Sequence, residues 1–155
     1  LDDIDSNIVV NDKSGLDRYQ ISSIIRNMVI REHCEAIFLD HLGLIKTETK
    51  SNLAHEIGEN TTMLKGLAKE FKIPIVCLCQ INRGAEQFLD KKPKLSDLRD
   101  SGRIEEDADC VILLYRDSYY NPDCSNEAEY CVAKCRNGRT GIVKGRFEGE
   151  YMRWS

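Results

Sequence analysis

An α/β fold, with a mostly parallel twisted sheet flanked by helices and an antiparallel hairpin at the carboxyl end, is what this sequence predicts. Three observations carry the prediction. Apolar runs at 36–39, 75–79 and 111–115 are continuous rather than alternating, as in strands buried on both faces of a parallel sheet. Helical spacing before and between the first two runs gives the order β-α-β-α-β, which implies right-handed crossovers. Beyond residue 126 the pattern changes to alternation around Asn137-Gly138, the signature of a hairpin.

Each element has its own local reason. Asn7-Ile-Val-Val10 is a short β-branched run closed by Asn11-Asp-Lys-Ser-Gly15, and is expected to be the first strand. Asp17 stands three residues before Gln20, a capping-box start for a helix whose apolar face is Ile21, Ile24, Ile25, Met28 and Val29. Ala36-Ile-Phe-Leu-Asp40 follows as a strand. A second helix is predicted over 52–71, with Leu53, Ile57, Leu64, Leu67, Ala68 and Phe71 on its apolar face. Pro74 introduces the strand Ile75-Val-Cys-Leu-Cys79. Residues 81–107 are polar and broken by Gly84, Pro93 and Gly102, so a long loop with short helical turns is expected there. Val111-Ile-Leu-Leu-Tyr115 is the next buried strand. After a polar insertion at 117–126, strands are expected at 129–135, 141–147 and 149–154.

The 155 residues suit a single domain of ordinary globular composition, 41% hydrophobic and 31% charged. A net charge of −4 makes any nucleic-acid contact local rather than global. With no apolar run of about eighteen residues and no signal-peptide layout, a soluble cytosolic protein is expected. The seven cysteines contain no C-x-x-C pair and largely fall in apolar runs, so buried free thiols are a better reading than zinc. The histidines (33, 41 and 55) are too scattered to change that. Asn60-Thr-Thr matches a glycosylation sequon, but it lies within a predicted helix. The chain begins at Leu1 without Met, and is expected to be a fragment or processed piece.

Four features can carry chemistry. Asp40 ends a buried strand, at the edge where open α/β sheets bind ligands. In P-loop NTPases that position belongs to the Walker-B aspartate beside Mg²⁺; a helix cap or solvated strand end is the plainer alternative. Gln80 closes the following strand, where an amide can orient water or sense a γ-phosphate, or can simply be a polar strand end. Lys134 and Arg136 are two apart on a strand and so share a face, suited to reaching a phosphate in trans or to blocking a sheet edge. Finally, the 82–103 loop has six cations (Arg83, Lys91, Lys92, Lys94, Arg99, Arg103) against four anions (Glu86, Asp90, Asp97, Asp100). That balance suits backbone tracking along nucleic acid, without base stacking because Phe88 is its one aromatic. The acidic stretch Glu105 to Asp109 caps and solvates the approach to the next strand.

Taken together, the segments resemble the second half of the RecA-like motor domain of bacterial replicative DNA helicases, the DnaB family, from about Asn7 onward. Phe38-Leu-Asp-His-Leu, Pro74-Ile-Val-Cys-Leu-Cys-Gln-Ile-Asn-Arg83, Ser96 to Asp109, and Lys134-Cys-Arg-Asn-Gly138 carry the resemblance. It implies one partial RecA-like P-loop NTPase core domain over 1–155, with ATP and Mg²⁺ as cofactors. Asp40 would be the acid associated with Mg²⁺, and Gln80 the sensor coupling γ-phosphate to the DNA-facing loop. Lys134 and Arg136 would reach the neighbouring subunit's nucleotide in a homohexameric ring, Arg136 as the finger. Arg99, Asp100 and Gly102 would lie along single-stranded DNA. The function implied is ATP-driven translocation and 5′–3′ unwinding in replication, with primase and a helicase loader as partners and a cytoplasmic, nucleoid-associated location. His41 departs from the Tyr common at its position. A recombination ATPase of the RecA/RadA type shares the strands but would not be expected to carry Ser96 to Asp109 in this form. A degenerate motor serving as a binding platform is the non-enzymatic alternative.

No G-x-x-x-x-G-K-[ST] loop occurs in the sequence, so the backbone nest that grips a β-phosphate is missing. This 155-residue chain is therefore expected neither to bind ATP tightly nor to hydrolyse it. Measurable ATP turnover by the purified chain would contradict that expectation.

Overall fold

Asp17 starts the first helix as its spacing predicts. In the computed structural model, which describes residues 8–46, 53–82, 91–98, 101–121 and 123–155, its carboxylate accepts from the Tyr19 and Gln20 amides at 2.9 Å. The Gln20 side chain accepts from the Asp17 amide at 3.0 Å, completing the capping box of α1, Arg18–Arg31. The chain divides into two compact units, Leu1–Gln80 and Ile81–Ser155.

In the first unit α1 packs against α2, Leu53–Phe71. Ile21 and Ile25 are buried on α1, and Ile57, Leu64 and Leu67 on α2. Arg18 ties the helices together by an ion pair to Glu56 at 2.6 Å, with both side chains largely shielded from water, and by a second to Glu59. Lys72, at φ 56°, ends α2 in the left-handed region. Strand β1, Ile37–Leu39, then pairs in parallel with β2, Ile75–Cys77, in the register Ile37 to Ile75 and Leu39 to Cys77. Backbone bonds from Ile37 N to Pro74 O at 3.0 Å and from Leu78 N to Leu39 O at 2.9 Å extend the pairing at both ends.

Two expectations change here. Residues 8–10 form no strand and leave Ile8, Val9 and Val10 exposed; Asn7 lies outside the described residues. β-Branched residues favour a strand only where a partner strand supplies the other half of the ladder. The apolar runs at 36–39 and 75–79 read as strands buried on both faces, and the structure covers only one. Ile37 is buried, whereas Phe38, Val76 and Leu78 are 79%, 43% and 52% exposed. Successive strand residues point to opposite faces, so a pair covered on one side leaves alternate apolar residues in solvent.

The second unit is built on a four-stranded antiparallel sheet of β3, Cys110–Arg116; β4, Glu127–Cys135; β5, Gly141–Glu148; and β6, Arg153–Trp154. A short helix, α3, Ser101–Asp107, precedes it. The third apolar run therefore joins an antiparallel ladder, with Val111 and Leu113 buried and Ile112 and Leu114 exposed. The β3–β4 register shifts between Val111 and Ile112, a bulge. Asn137-Gly138 does not make a two-residue turn: β4–β5 pairing stops at Val132 and Gly141, and the Arg136 amide instead bonds Asp109 O at 2.8 Å. Only Arg153 and Trp154 of the expected last strand pair, after a 3₁₀ turn at Gly149–Tyr151. Trp154 packs edge-on against Phe147 and Tyr130, at 5.2 and 5.5 Å between ring centres.

Replacing Leu67, which is 2% exposed, by alanine is expected to cost about 2–5 kcal/mol in urea unfolding.

Candidate functional site

Parallel pairing determines which chemistry gathers at one sheet edge. Asp40 directly follows β1 and Gln80 lies just past β2, so both leave the carboxyl ends of adjacent parallel strands. Both are exposed. The crossing bonds Leu78 N to Leu39 O and Leu42 N to Leu78 O, each 2.9 Å, lace the two strand ends together. His41 follows Asp40 through a cis peptide and turns its imidazole inward as a cap, with Nδ1 accepting from the Gly43 amide at 3.1 Å. A carboxylate and an amide side by side form an all-oxygen donor set, the chemistry that Mg²⁺ takes while keeping most of its waters. Among the described residues no group of three or more His, Cys, Asp or Glu side chains is arranged to hold a metal ion. An ion here would therefore arrive with a phosphate rather than sit in a protein cage.

Two thiols border this edge without adding a nucleophile. Burial, then the neighbouring Cys79, pushes the Cys77 thiol up to about 12. Burial also raises Cys79. Both therefore remain protonated and unreactive at neutral pH.

In the second unit, Lys134 and Arg136 do share a face, and that face meets the end of α3. The Lys134 ammonium donates to the Glu105 carbonyl. Arg136 Nη2 donates to the Glu106 carbonyl at 2.9 Å, and its Nη1 pairs with Asp109 at 3.2 Å. The last carbonyls of a helix lack intrahelical donors and carry partial negative charge, so two cations there are favourable. Sequence spacing indicates the shared face but gives no sign of what it faces. Gly102 lies exposed in α3, and an added Cβ would meet nothing within 4 Å. Arg99 and Asp100 lie outside the described residues, as do Arg83, Glu86, Phe88 and Asp90.

The remaining loop cations do not form a uniform track. Lys92 pairs with Glu129 at 2.8 Å, and Arg103 with Glu106 at 3.4 Å. Lys91 sits over the Tyr120 ring at 4.6 Å. It leads to a feature that sequence reasoning missed, a cavity of about 380 Å³ lined by Lys91, Tyr115, Arg116, Tyr120, Phe147 and Trp154 among others. Its signal was the clustering of Tyr115, Tyr119 and Tyr120 beyond the apolar run. Asp117 holds this corner, accepting from the Tyr115 hydroxyl and the Asn121 amide at 3.0 Å each. Hydrogen bonds from Cys124, Tyr115 and Asn121, in that order of weight, hold its carboxyl below the ordinary range.

Comparison with known proteins gives these residues a setting. A family model described as the DnaB-like helicase C terminal domain matches residues 3–155. The chain is 40% identical over 154 residues to the replicative DNA helicase DnaB of Leifsonia xyli, covering 97% of this chain and 34% of the relative. It is 38% identical over 153 residues to the replicative DNA helicase DnaC of Bacillus subtilis, covering 96% of this chain and 34% of the relative. Among solved structures it superposes on a DnaB-like replicative helicase from a study of its interactions with primase, with a TM-score of 0.85 and 34% identity, over 96% of this chain and 36% of that one. It is also similar to a structure solved as an isolated ATPase domain, with a TM-score of 0.87 and 35% identity, over 97% of this chain and 55% of that one. The chain spans about a third of the length of the curated relatives it matches.

The depressed Asp117 carboxyl contributes stability that is complete above the ordinary carboxylate pKa and lost as pH falls through its lower folded value. Acid titration is expected to release the tyrosine corner at lower pH in the wild type than an unperturbed aspartate would allow. Asp117→Asn should abolish that transition in the near-UV circular dichroism.

Proposed function

The chain belongs to the DnaB-like helicase C-terminal domain family, and from that premise we propose that it is the Walker-B half of a replicative helicase motor. That motor would couple ATP hydrolysis to translocation on single-stranded DNA and to 5′–3′ unwinding as a hexameric ring. The observation that carries the proposal is the emergence of Asp40 and Gln80 from adjacent parallel strands in a chain that matches the family over nearly its whole length.

Each group has a role that follows from its chemistry. Asp40 offers the carboxylate that would bind Mg²⁺, which when bound neutralises charge developing on the phosphates. Gln80 both donates and accepts, and so can orient an attacking water while registering whether a γ-phosphate is there. Arg136 supplies a planar, permanently charged fork, and Lys134 a point charge beside it. Because the chain carries no phosphate loop, the two cations are best suited to the nucleotide of a neighbouring subunit, as head-to-tail rings require. To reach it they must leave the α3 carbonyls they cap.

That exchange gives α3 a coupling role. Gly102, with Arg99 and Asp100 just before it, belongs to the proposed DNA-facing segment. The Glu105 and Glu106 carbonyls that hold the two cations belong to the same seven-residue helix. Movement at the DNA side would be passed along one rigid turn to the finger. Primase is a proposed partner because a similar helicase was solved in a study of its interactions with primase. A helicase loader is proposed alongside it.

In the complete motor protein, Arg136→Ala is expected to lower ATP turnover roughly a thousandfold while ring assembly is preserved on size exclusion. Unchanged turnover would reject the finger role. Gly102→Ala should separate fold from function. It meets no atom in this chain and is expected to stabilise the helix by about 0.5–1 kcal/mol, while weakening single-stranded DNA binding in a fluorescence titration. Unaltered DNA affinity would remove Gly102 from the interface.

A further inference from the structure

Cys110 opens β3 and Cys135 closes β4, and the two are directly opposite in the antiparallel register. The bond from Arg136 N to Asp109 O at 2.8 Å flanks the pair and makes it a non-hydrogen-bonded site, where the backbones approach most closely. Opposed Cα atoms at such a site are about 4.5 Å apart, within the range of about 4.4–6.8 Å that a disulfide spans. The two thiols already touch through a side-chain hydrogen bond. Gly138 leaves room for one of them, since an added Cβ there would lie 2.7 Å from the Cys135 sulfur. Cys110 is exposed and Cys135 half-buried, so a small oxidant has access from one side.

We propose that Cys110 and Cys135 form a two-electron oxidation site that closes to an intrachain disulfide across β3 and β4 when the protein meets a peroxide. The Cys110 thiolate attacks the O–O bond, takes one oxygen as a sulfenic acid and releases the other as water after protonation. The Cys135 sulfur then displaces hydroxide from the Cys110 sulfur, forming the S–S bond and a second water. The two sulfurs together lose two electrons, and the peroxide is reduced to two waters. Desolvation, the adjacent Cys135 charge and the shared hydrogen bond all raise the Cys110 pKa, so the first step is slow at neutral pH and quickens as pH rises. The bridge would join β3 to the end of β4 between Lys134 and Arg136. Any effect on nucleotide turnover rests on the finger role proposed above; bridge formation does not.

The test treats the folded chain with hydrogen peroxide at low protein concentration, alkylates the remaining thiols, and maps non-reduced peptides by mass. The expected product is one Cys110–Cys135 linked peptide pair, removed by dithiothreitol, whose rate of formation rises about tenfold per pH unit through the neutral range. Cys135→Ser should abolish the linkage, and Cys124→Ser should leave it intact. Both thiols remaining alkylatable, either one linking to a different cysteine or to a second chain, or oxidation stopping at separate sulfinic acids, would each overturn the proposal. Mapping the unsubstituted chain keeps the result independent of whether any variant folds.

Discussion

Two three-residue strands run side by side in the same direction, and much of the first unit follows from that pairing. Had they been antiparallel, Asp40 and Gln80 would leave opposite ends of the ladder and could not serve one ligand. Parallel pairing requires a long crossover, which α2 supplies by returning the chain across the sheet while its Ile57, Leu64 and Leu67 bury the core. The Arg18–Glu56 pair then fastens α1 to that crossover in a largely shielded position. Its worth lies mainly in the penalty of breaking it, because an unpartnered Glu56 would be left buried.

A different constraint organises the second unit. The end of α3 presents carbonyls without intrahelical donors, and two of them are met by a pair of side chains from β4 and the turn after it. The same cations are the groups best suited to a phosphate. Satisfying a helix end and reaching a ligand are alternatives for one pair of side chains, so the resting contact is also a restraint on the proposed finger. Its exposure to solvent keeps the restraint weak enough to be released.

Several residues can be placed from the sequence because their signals are local. The Asp17 to Gln20 capping box depends on four consecutive residues and appears as its spacing requires. Asp40 and Gln80 are legible because an apolar run ending in a polar residue marks a strand end whatever surrounds it. Less legible are features set by partners distant in sequence. The run at 111–115 reads like those at 36–39 and 75–79, yet it joins an antiparallel ladder because β4 follows it and pairs with it. Asn137-Gly138 is a strong local turn signal, but the Arg136 amide is drawn to Asp109 instead, which widens the turn. The aromatic cavity and the opposed Cys110 and Cys135 are hidden because their members meet only once the sheet forms.

The sequence by itself determined the helices, the apolar strands, the ligand-edge carboxylate and amide, and the resemblance that gave them roles. Each of these rests on periodicity or on a contiguous motif, information carried within a few residues. Tertiary structure alone decided which face of β1 and β2 is covered, what Lys134 and Arg136 touch, and that two of the seven cysteines stand opposite each other. Those outcomes depend on strand register, and register is set by many weak long-range contacts acting together rather than by any short stretch of chain.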